Sequence, residues 1–223
     1  MKLRHSRISA QKSKKLCEFF VAGTPARTAA ELAGVNRNTA NRFYKKLRTI
    51  IRHFQEQESP FFEGEIEVDE SYFGGTRKGK RGRGAAGKVP VFGLLKRQGK
   101  VYSQMIPDAK ESTLMPIIRN KIKPDSVIYS DAFKSYDALD VSEFHHCRIH
   151  HNQEFSRGKN HINGIENCWN QAKRRMSLYN GITQNNFELY LKESEWKFNN
   201  PGAKNQLNLL MKLVKVYQQK RSM

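Results

Sequence analysis

Residues 65–69, Glu-Ile-Glu-Val-Asp, form a strand-like run that ends at an acidic side chain, Asp69. We predict a first β-strand over residues 64–70. Asp131 stands in a similar setting, because it follows the apolar run Ser-Val-Ile-Tyr-Ser at 126–130. Glu166 lies instead on a helix-like stretch, 161–173. Two carboxylates therefore end strand-like segments, and a third lies on a helix.

The chain is strongly basic, with 40 Lys and Arg against 21 Asp and Glu and a formal net charge of +19. Such an excess predicts a polyanionic partner, and nucleic acid is favoured. No apolar run reaches the roughly 18–20 residues of a membrane span. The basic N-terminus also lacks the hydrophobic stretch of a signal peptide. We therefore expect a cytoplasmic protein with no membrane partner.

The three cysteines are widely separated and form no C-x-x-C pair, which argues against a disulfide framework or a four-cysteine zinc site. A crowded group of ligand-type side chains still raises the question of zinc: His145, His146, Cys147, His150 and His151. Neighbouring side chains on a strand point to opposite faces, so only some of them could converge. Polar roles at the strand end or facing DNA are favoured over a structural zinc site.

The first 60 residues predict three helices, over 9–22, 26–33 and 37 to about 53. Thr24 and Pro25 fit an N-cap and a first helical position, Gly34 ends the second helix, and Asn36 fits an N-cap for the third. This pattern is typical of a helix-turn-helix DNA-binding domain, here assigned to residues 1–56. The third helix carries side chains that can bond bases and phosphates: Arg37, Asn38, Asn41, Arg42 and Lys45. The alternative is a plain three-helix bundle with a solvated polar face.

Residues 61–180 predict an α/β domain in the order strand, strand, strand, helix, strand, helix, strand, helix. Its predicted helices cover 113–122, with Pro116 in the first turn, 132–139 and 162–176. The last of these has a predicted buried stripe: Ile162, Ile165, Trp169, Ala172 and Met176. Residues 181–223 predict a C-terminal helical extension. Between the first two strands, residues 74–88 hold six glycines and six Lys or Arg with no acid. We expect this loop to contact phosphates, the alternative being a merely solvated loop. Its candidate DNA-binding residues are Arg77, Lys78, Lys80, Arg81 and Arg83.

The three acids fit the chemistry of phosphodiester cleavage, which divalent ions assist through hard oxygen ligands. Asp69 and Asp131 could meet at one sheet edge, and a helix packed over the sheet could bring Glu166 to the same point. Lys173 shares the side of that helix with Glu166 and could contact a DNA phosphate. Each acid alone has a structural explanation, since an Asp after a strand commonly caps a turn. Glu67 and Glu70, in the same predicted strand, are alternative candidates for the role given to Asp69.

Three motifs together resemble those of DDE transposases from small bacterial insertion sequences of the ISXO-like type. They are Val-Asp-Glu-Ser-Tyr-Phe-Gly-Gly (68–75), Tyr-Ser-Asp-Ala-Phe-Lys-Ser-Tyr (129–136) and His-Ile-Asn-Gly-Ile-Glu-Asn-Cys-Trp-Asn-Gln-Ala-Lys-Arg (161–174). The resemblance implies an α/β fold, a ribonuclease-H-like mixed sheet with flanking helices, preceded by the small all-α helix-turn-helix domain. Many relatives carry a cysteine-rich zinc module at the N-terminus, which this chain lacks. The helix-turn-helix is expected to take its place.

The same resemblance implies Asp69, Asp131 and Glu166 as catalytic residues and as ligands of two Mg²⁺ ions, for which Mn²⁺ can substitute. His161 is a possible auxiliary residue near the metals. The implied enzyme binds terminal inverted repeats and cleaves and transfers DNA strands by direct attack of water or a 3′-hydroxyl. Its implied partners are the double-stranded DNA of the element ends and target, and further copies of the chain, at least as a dimer on DNA. A nucleoid-associated location follows.

Two other functions remain open from the sequence. One is a non-catalytic helix-turn-helix regulator, in which the rest of the chain serves dimerisation. The acids of segment 64–176 argue against it, because a repressor does not need aligned strand-end and helix carboxylates. The other is a ribonuclease-H-type nuclease that cleaves without joining strands.

Overall fold

The computed structural model describes residues 8–58, 61–74, 88–149, 161–179 and 181–220. The chain divides into two compact units. A sheet unit spans Pro60–Lys173, and a helical unit combines Met1–Ser59 with Arg174–Met223. Within the described ranges, no helix has both the length and the apolar character that crossing a membrane requires.

The sheet unit is built on five strands in the spatial order β3-β2-β1-β4-β5. Strand β1 pairs antiparallel with β2, and β2 pairs antiparallel with β3. Strand β4 lies on the other side of β1, parallel to it, and β5 is parallel to β4. The bounds are β1 Glu65–Phe73, β2 Val89–Lys96, β3 Val101–Met105, β4 Val127–Asp131 and β5 His145–Ile149. This mixed sheet confirms the predicted α/β, ribonuclease-H-like fold class.

Helices cover both faces of the sheet because strand residues alternate in direction. Ile66, Val68 and Leu94 face one way and form a core with helix α4, Glu111–Lys121, through Leu114 and Ile118. A 3₁₀ helix, Lys134–Val141, adds the buried Tyr136 and Leu139 to that core. The opposite face carries α5, Asn163–Ser177. The predicted buried stripe of this helix is observed at Ile162, Ile165, Trp169 and Ala172.

The helical unit contains α1 Ala10–Val21, α2 Ala26–Ala33, α3 Arg37–Gln57, α6 Gln184–Asn199 and α7 Ala203–Lys220. Gly34 ends α2 in the left-handed conformation, with φ 60°, and the Asn36 side chain accepts from the Asn38 amide at 2.8 Å to cap α3. The helices of both chain ends share one core, since Trp196 of α6 and Leu210 of α7 are buried with residues of α1–α3. The C-terminal helices are thus part of the N-terminal unit, where the sequence suggested a separate extension.

Three local predictions need correction. Pro25 rather than Thr24 occupies the N-cap of α2, and no side chain caps that helix in the described chain. Pro116 lies in the interior of α4, not in a first turn, because α4 already begins at Glu111. The segment predicted as a short helix over 132–139 is a 3₁₀ helix over Lys134–Val141, a form suited to such short runs.

Candidate active site

The pairing register places Asp69 and Asp131 side by side. The parallel ladder of β1 and β4 matches Glu65 with Val127 and Glu67 with Tyr129. Continued by two residues, the same register sets Asp69 opposite Asp131. Adjacent strands lie about 4.8 Å apart, and alternation turns both side chains to the face that α5 covers. The sequence expectation that these two acids meet at the sheet is consistent with this register.

Two glycines allow α5 to approach the sheet closely. A Cβ on Gly93, the β2 partner of Asp69, would lie 2.4 Å from Cζ2 of Trp169. A Cβ on Gly164 would lie 2.6 Å from Cδ2 of Leu95 and 2.8 Å from Oε2 of Glu67. Neither neighbour is free to move far in a packed interface. The absence of side chains at these positions therefore sets how near the first turn of α5, which carries Glu166, comes to the strands.

Asp69 and Asp131 are each held by one hydrogen bond from a nearby donor. The indole Nε1 of Trp169 donates to Oδ2 of Asp69 at 3.0 Å. The backbone amide of Phe133 donates to Oδ1 of Asp131 at 3.1 Å. The bond from Trp169 occupies one acceptor position of the Asp69 carboxylate, which has others for further contacts.

The electrostatics of Asp69 show that the acids act on one another. Burial, followed by the negative charges of Glu70, Asp131 and Glu166, raises the pKa of Asp69 to about 8, and the bond from Trp169 opposes this rise. Repulsion of this kind marks a local excess of negative charge in a very basic chain. Such a cluster favours a bound proton or a cation.

The two competing acids of β1 have structural roles instead. Glu67 is 2% exposed, accepts from the Ile165 amide at 2.8 Å at the start of α5, and pairs with Nε of Arg97 at 3.1 Å. Glu70 points to the opposite face and accepts from the hydroxyl of Tyr136 at 2.9 Å. Burial and the charge of Glu70 raise the pKa of Tyr136, which keeps this phenol a donor. Asp69 is thereby distinguished from both of its acidic neighbours.

Within the described ranges, no three His, Cys, Asp or Glu side chains lie close enough together to hold a metal ion as they stand. Of the histidine group, His146 hydrogen-bonds through its two ring nitrogens to Ser130 at 2.8 Å and to Asp140 at 2.5 Å. His150 and His151 lie outside the described residues. His161 places Nδ1 3.8 Å from Oε1 of Glu67, and its carbonyl accepts from Arg97.

The candidate DNA-binding residues of α3 are all exposed: Arg37, Asn38, Asn41, Arg42 and Lys45. Lys173 is exposed on α5, with Nζ 5.7 Å from the ring centre of Phe73. The candidate residues of the basic loop fall outside the described residues: Arg77, Lys78, Lys80, Arg81 and Arg83. The structure thus gathers the three acids in the sheet unit, while the α3 set belongs to the helical unit.

Sequence reasoning did not assign Trp169 a place in the site. Its helical spacing predicted only a buried position, which it has. The available signal was its position three residues after Glu166, because residues i and i+3 share a helix side. A polar ring atom on a buried stripe needs an acceptor, and Asp69 is that acceptor.

The sequence resembles those of known transposase-family proteins. Residues 61–199 match the family model described as the ISXO2-like transposase domain. The chain is 55% identical over 116 residues to an uncharacterized transposase-like protein of Haemophilus influenzae, covering 52% of this chain and 94% of that protein. It is 28% identical over 181 residues to an uncharacterized protein in transposable element ISH50 of Halobacterium salinarum, covering 71% of this chain and 61% of that protein. Among solved structures, the Mos1 strand transfer complex gives a TM-score of 0.40 at 9% identity, over 98% of this chain and 79% of that one.

Proposed function

The chain belongs to the ISXO2-like transposase family, and from this premise we propose that it binds the ends of an insertion sequence and cleaves and joins DNA strands there. Two observations support the proposal: the parallel register of β1 and β4, which if continued two residues beyond Glu67↔Tyr129 sets Asp69 opposite Asp131, and the effect of the Asp131 charge on the pKa of Asp69. Glu166 lies in the first turn of α5. We assign the three carboxylates as the catalytic group.

The donor chemistry of these three carboxylates suits two Mg²⁺ ions, although as they stand the side chains are not close enough together to hold a metal ion. Carboxylate oxygens are the ligands that Mg²⁺ prefers, and Mn²⁺ accepts the same donors. The repulsion that raises the pKa of Asp69 is the kind that a bound cation relieves. Asp69, Asp131 and Glu166 would hold the ions. When bound, the ions supply charge neutralisation at the phosphate and activation of the attacking oxygen.

In this scheme the protein's own groups hold the carboxylates in position and contact the DNA. Trp169 holds one oxygen of Asp69, and the Phe133 amide holds one oxygen of Asp131, so both carboxylates present a fixed edge. The Trp169 ring packs directly against Gly93, the β2 partner of Asp69, and covers the sheet beside that carboxylate. A water or a DNA 3′-hydroxyl attacks the phosphodiester directly, so no protein nucleophile takes part. We assign Lys173, which is exposed on α5, to contact a backbone phosphate.

We assign recognition of the terminal repeats to the exposed side of α3. Arg37, Asn38, Asn41, Arg42 and Lys45 present donors and acceptors of the kind that read base edges and grip phosphates. The net charge of +19 supplies attraction to any DNA and makes the affinity depend on salt. A second copy of the chain on the second element end completes the proposed complex.

The decisive experiment measures cleavage and joining of duplex DNA that carries the element ends, in Mg²⁺. Asp69→Asn, Asp131→Asn and Glu166→Gln should each lower the rate by at least about 10²-fold, because each removes a charge from the catalytic group. Binding to the same duplex, measured by gel shift, should change little. Glu111→Gln removes an exposed acid of the same unit and should leave the rate unchanged.

The outcomes separate the candidate functions. Activity at the wild-type level in all three variants would refute the assignment of the acids. Cleavage without joining would identify a nuclease of the ribonuclease H type. Sequence-specific binding without any metal-dependent strand chemistry would identify a regulator.

A further inference from the structure

A cleft of about 500 Å³ opens within the helical unit. Its walls are the first turn of α2, the start and middle of α3, and the segment from 178 to 190. Four of its lining residues are cationic: Arg27, Arg37, Lys45 and Arg48. None of the described lining residues is acidic. The cleft is therefore a strongly electropositive space beside the proposed recognition helix.

Two buried donors in the cleft wall have no acceptor. Tyr44 is 1% exposed, and its hydroxyl has no hydrogen-bond partner within the described chain. The side chain of Arg48 is 5% exposed, and its Nη2 likewise lacks a partner there. A buried donor left unsatisfied costs about 1–3 kcal/mol, so native proteins rarely keep two side by side without a ligand or water. Both residues line the same cleft.

The Arg48 guanidinium is fixed in place on its other sides. Its Nε lies 2.6 Å from Oε2 of Glu193, and its carbon lies 3.9 Å from the ring centre of Tyr190. The second oxygen of Glu193 lies 3.3 Å from Nζ of Lys197. One carboxylate thus serves two cations, which leaves the Arg48 charge only partly compensated. A rigid guanidinium with an unfilled Nη2 is pre-organised to receive an oxyanion.

The first turn of α2 adds backbone donors to the same wall. Pro25 is its N-cap, and proline has no side-chain acceptor with which to cap the first amides. Pro25, Ala26, Arg27 and Thr28 all line the cleft. The first amides of a helix attract anions through their free N–H groups and the helix dipole. This element and the buried donors are independent features that favour the same kind of ligand.

We propose that this cleft is a phosphate-binding site, with Arg48, Tyr44 and the first turn of α2 as its donors and Arg27, Arg37 and Lys45 around it. A water molecule would also accept from these donors, but four cations without an acid favour an anion over a neutral ligand. A DNA backbone phosphate and a free phosphate ester offer the same group. The site contains none of the sheet-unit acids, so its test is independent of the proposed strand cleavage.

Titration of the full-length protein with inorganic phosphate tests the site, using calorimetry at constant ionic strength against chloride. Wild type should bind phosphate saturably, and Tyr44→Phe and Arg27→Ala should each weaken binding about tenfold. Tyr44→Phe removes only a hydroxyl that has no partner, so its melting temperature should not fall. Arg27→Ala, at an exposed position, serves as a second variant that does not disturb the core. Lys212→Ala removes an equal charge from exposed α7 and should bind as wild type does.

Addition of duplex DNA identifies the source of the phosphate. Displacement of bound phosphate by the duplex, with weaker DNA binding by both cleft variants, assigns the site to a DNA backbone phosphate. Phosphate that stays bound in the DNA complex assigns it to a free phosphate ester. Two results overturn the proposal: phosphate binding that is equal in wild type and both cleft variants, or no phosphate binding together with unchanged DNA affinity in those variants.

Discussion

At the residue scale, two opposing effects set the pKa of Asp69. Burial and three neighbouring carboxylates favour its neutral form, and the indole of Trp169 favours its charged form. The balance leaves its pKa at about 8, against 3.8 for an ordinary Asp. In the metal-free protein this side chain therefore keeps a proton at neutral pH that an unfolded chain would release.

That difference predicts how stability varies with pH in the presence of a chelator. The contribution of the neutral Asp69 is fully present below pH 3.8, falls as the pH rises, and is lost once the pH passes about 8. Asp69→Asn cannot ionise, so at pH 9 it should be more stable than wild type by roughly 2–4 kcal/mol, allowing for screening at a partly exposed group. At pH 5 the two proteins should differ less. Urea unfolding at both pH values measures this, and an equal difference at pH 5 and pH 9 would refute it.

Trp169→Phe should show what the indole nitrogen contributes. The substitution removes the donor to Asp69, and it also removes the outer ring atoms Cζ2 and Cη2 that lie against Gly93. Because that bond lowers the pKa of Asp69, its loss should shift the pH at half-maximal strand cleavage upward and lower the rate about tenfold. DNA affinity should be unchanged. Trp196→Phe makes the same substitution in the helical unit and should leave the pH profile where it is.

At the scale of elements, the seating of α5 depends on residues that have no side chain. Gly93 faces the Trp169 ring, and Gly164 faces Leu95 and Glu67. A sequence pattern can predict that α5 buries one stripe, because apolar spacing follows the helical period. The strand against which the stripe lies, and the depth of that contact, come from long-range packing. The glycines that permit the contact carry no periodic signal.

Gly93→Ala should therefore disturb α5 more than any local propensity would suggest. The added methyl would lie 2.4 Å from the Trp169 ring, and relief of such overpacking costs about 1–3 kcal/mol. Chemical denaturation should show this loss, and strand cleavage should fall with it because Glu166 moves with the helix. Gly99→Ala is the matched control, since its nearest neighbour is the flexible Lys96 side chain at 3.0 Å. An unchanged stability in Gly93→Ala would mean that α5 is not packed as described.

Most elements were predictable because each depends on nearby residues. The bounds of α2 agree with the prediction, since Gly34 ends it in a conformation that glycine adopts easily. Only its N-cap differs by one residue, because Pro25 has extended ψ and takes the N-cap position predicted for Thr24. Asp131 ends β4 as predicted, but Asp69 lies in the middle of β1, because that strand continues to Phe73 beyond the predicted 64–70. The roles of Glu67 and Glu70 could not be predicted, because their partners Ile165 and Tyr136 lie about 100 and 66 residues away.

At the scale of the whole molecule, the helical unit is assembled from both ends of the chain. Leu16 of α1 and Ile50 of α3 share a core with Trp196, Leu210 and Val214. The period of α6 and α7 predicted their buried faces but not this partner. Local sequence patterns predict that one face of a helix is buried, but the residues that pack against that face are known only from the folded structure.

A fragment that ends at residue 58 should consequently fail to fold. It would expose the apolar surfaces that α6 and α7 cover and would leave Arg48 without Glu193. Loss of one partner of a buried pair alone costs about 3–5 kcal/mol, which is a large part of the stability of a small domain. Circular dichroism should show low helicity and no cooperative melting. Addition of residues 174–220 as a peptide should restore both, and a fragment that melts cooperatively on its own would contradict the shared core.

The order in which the helices of the helical unit are synthesised has a consequence for folding during translation. Helices α1–α3 leave the ribosome before the whole sheet unit is made, and their covering helices α6 and α7 come after it. A nascent chain therefore holds three helices with uncovered apolar faces until translation has passed residue 214. A premature stop codon in the sheet unit would release a product without a folded helical unit. Under the proposed function, such truncated products should not interfere with the full-length protein, because they lack the folded helical unit assigned to DNA recognition.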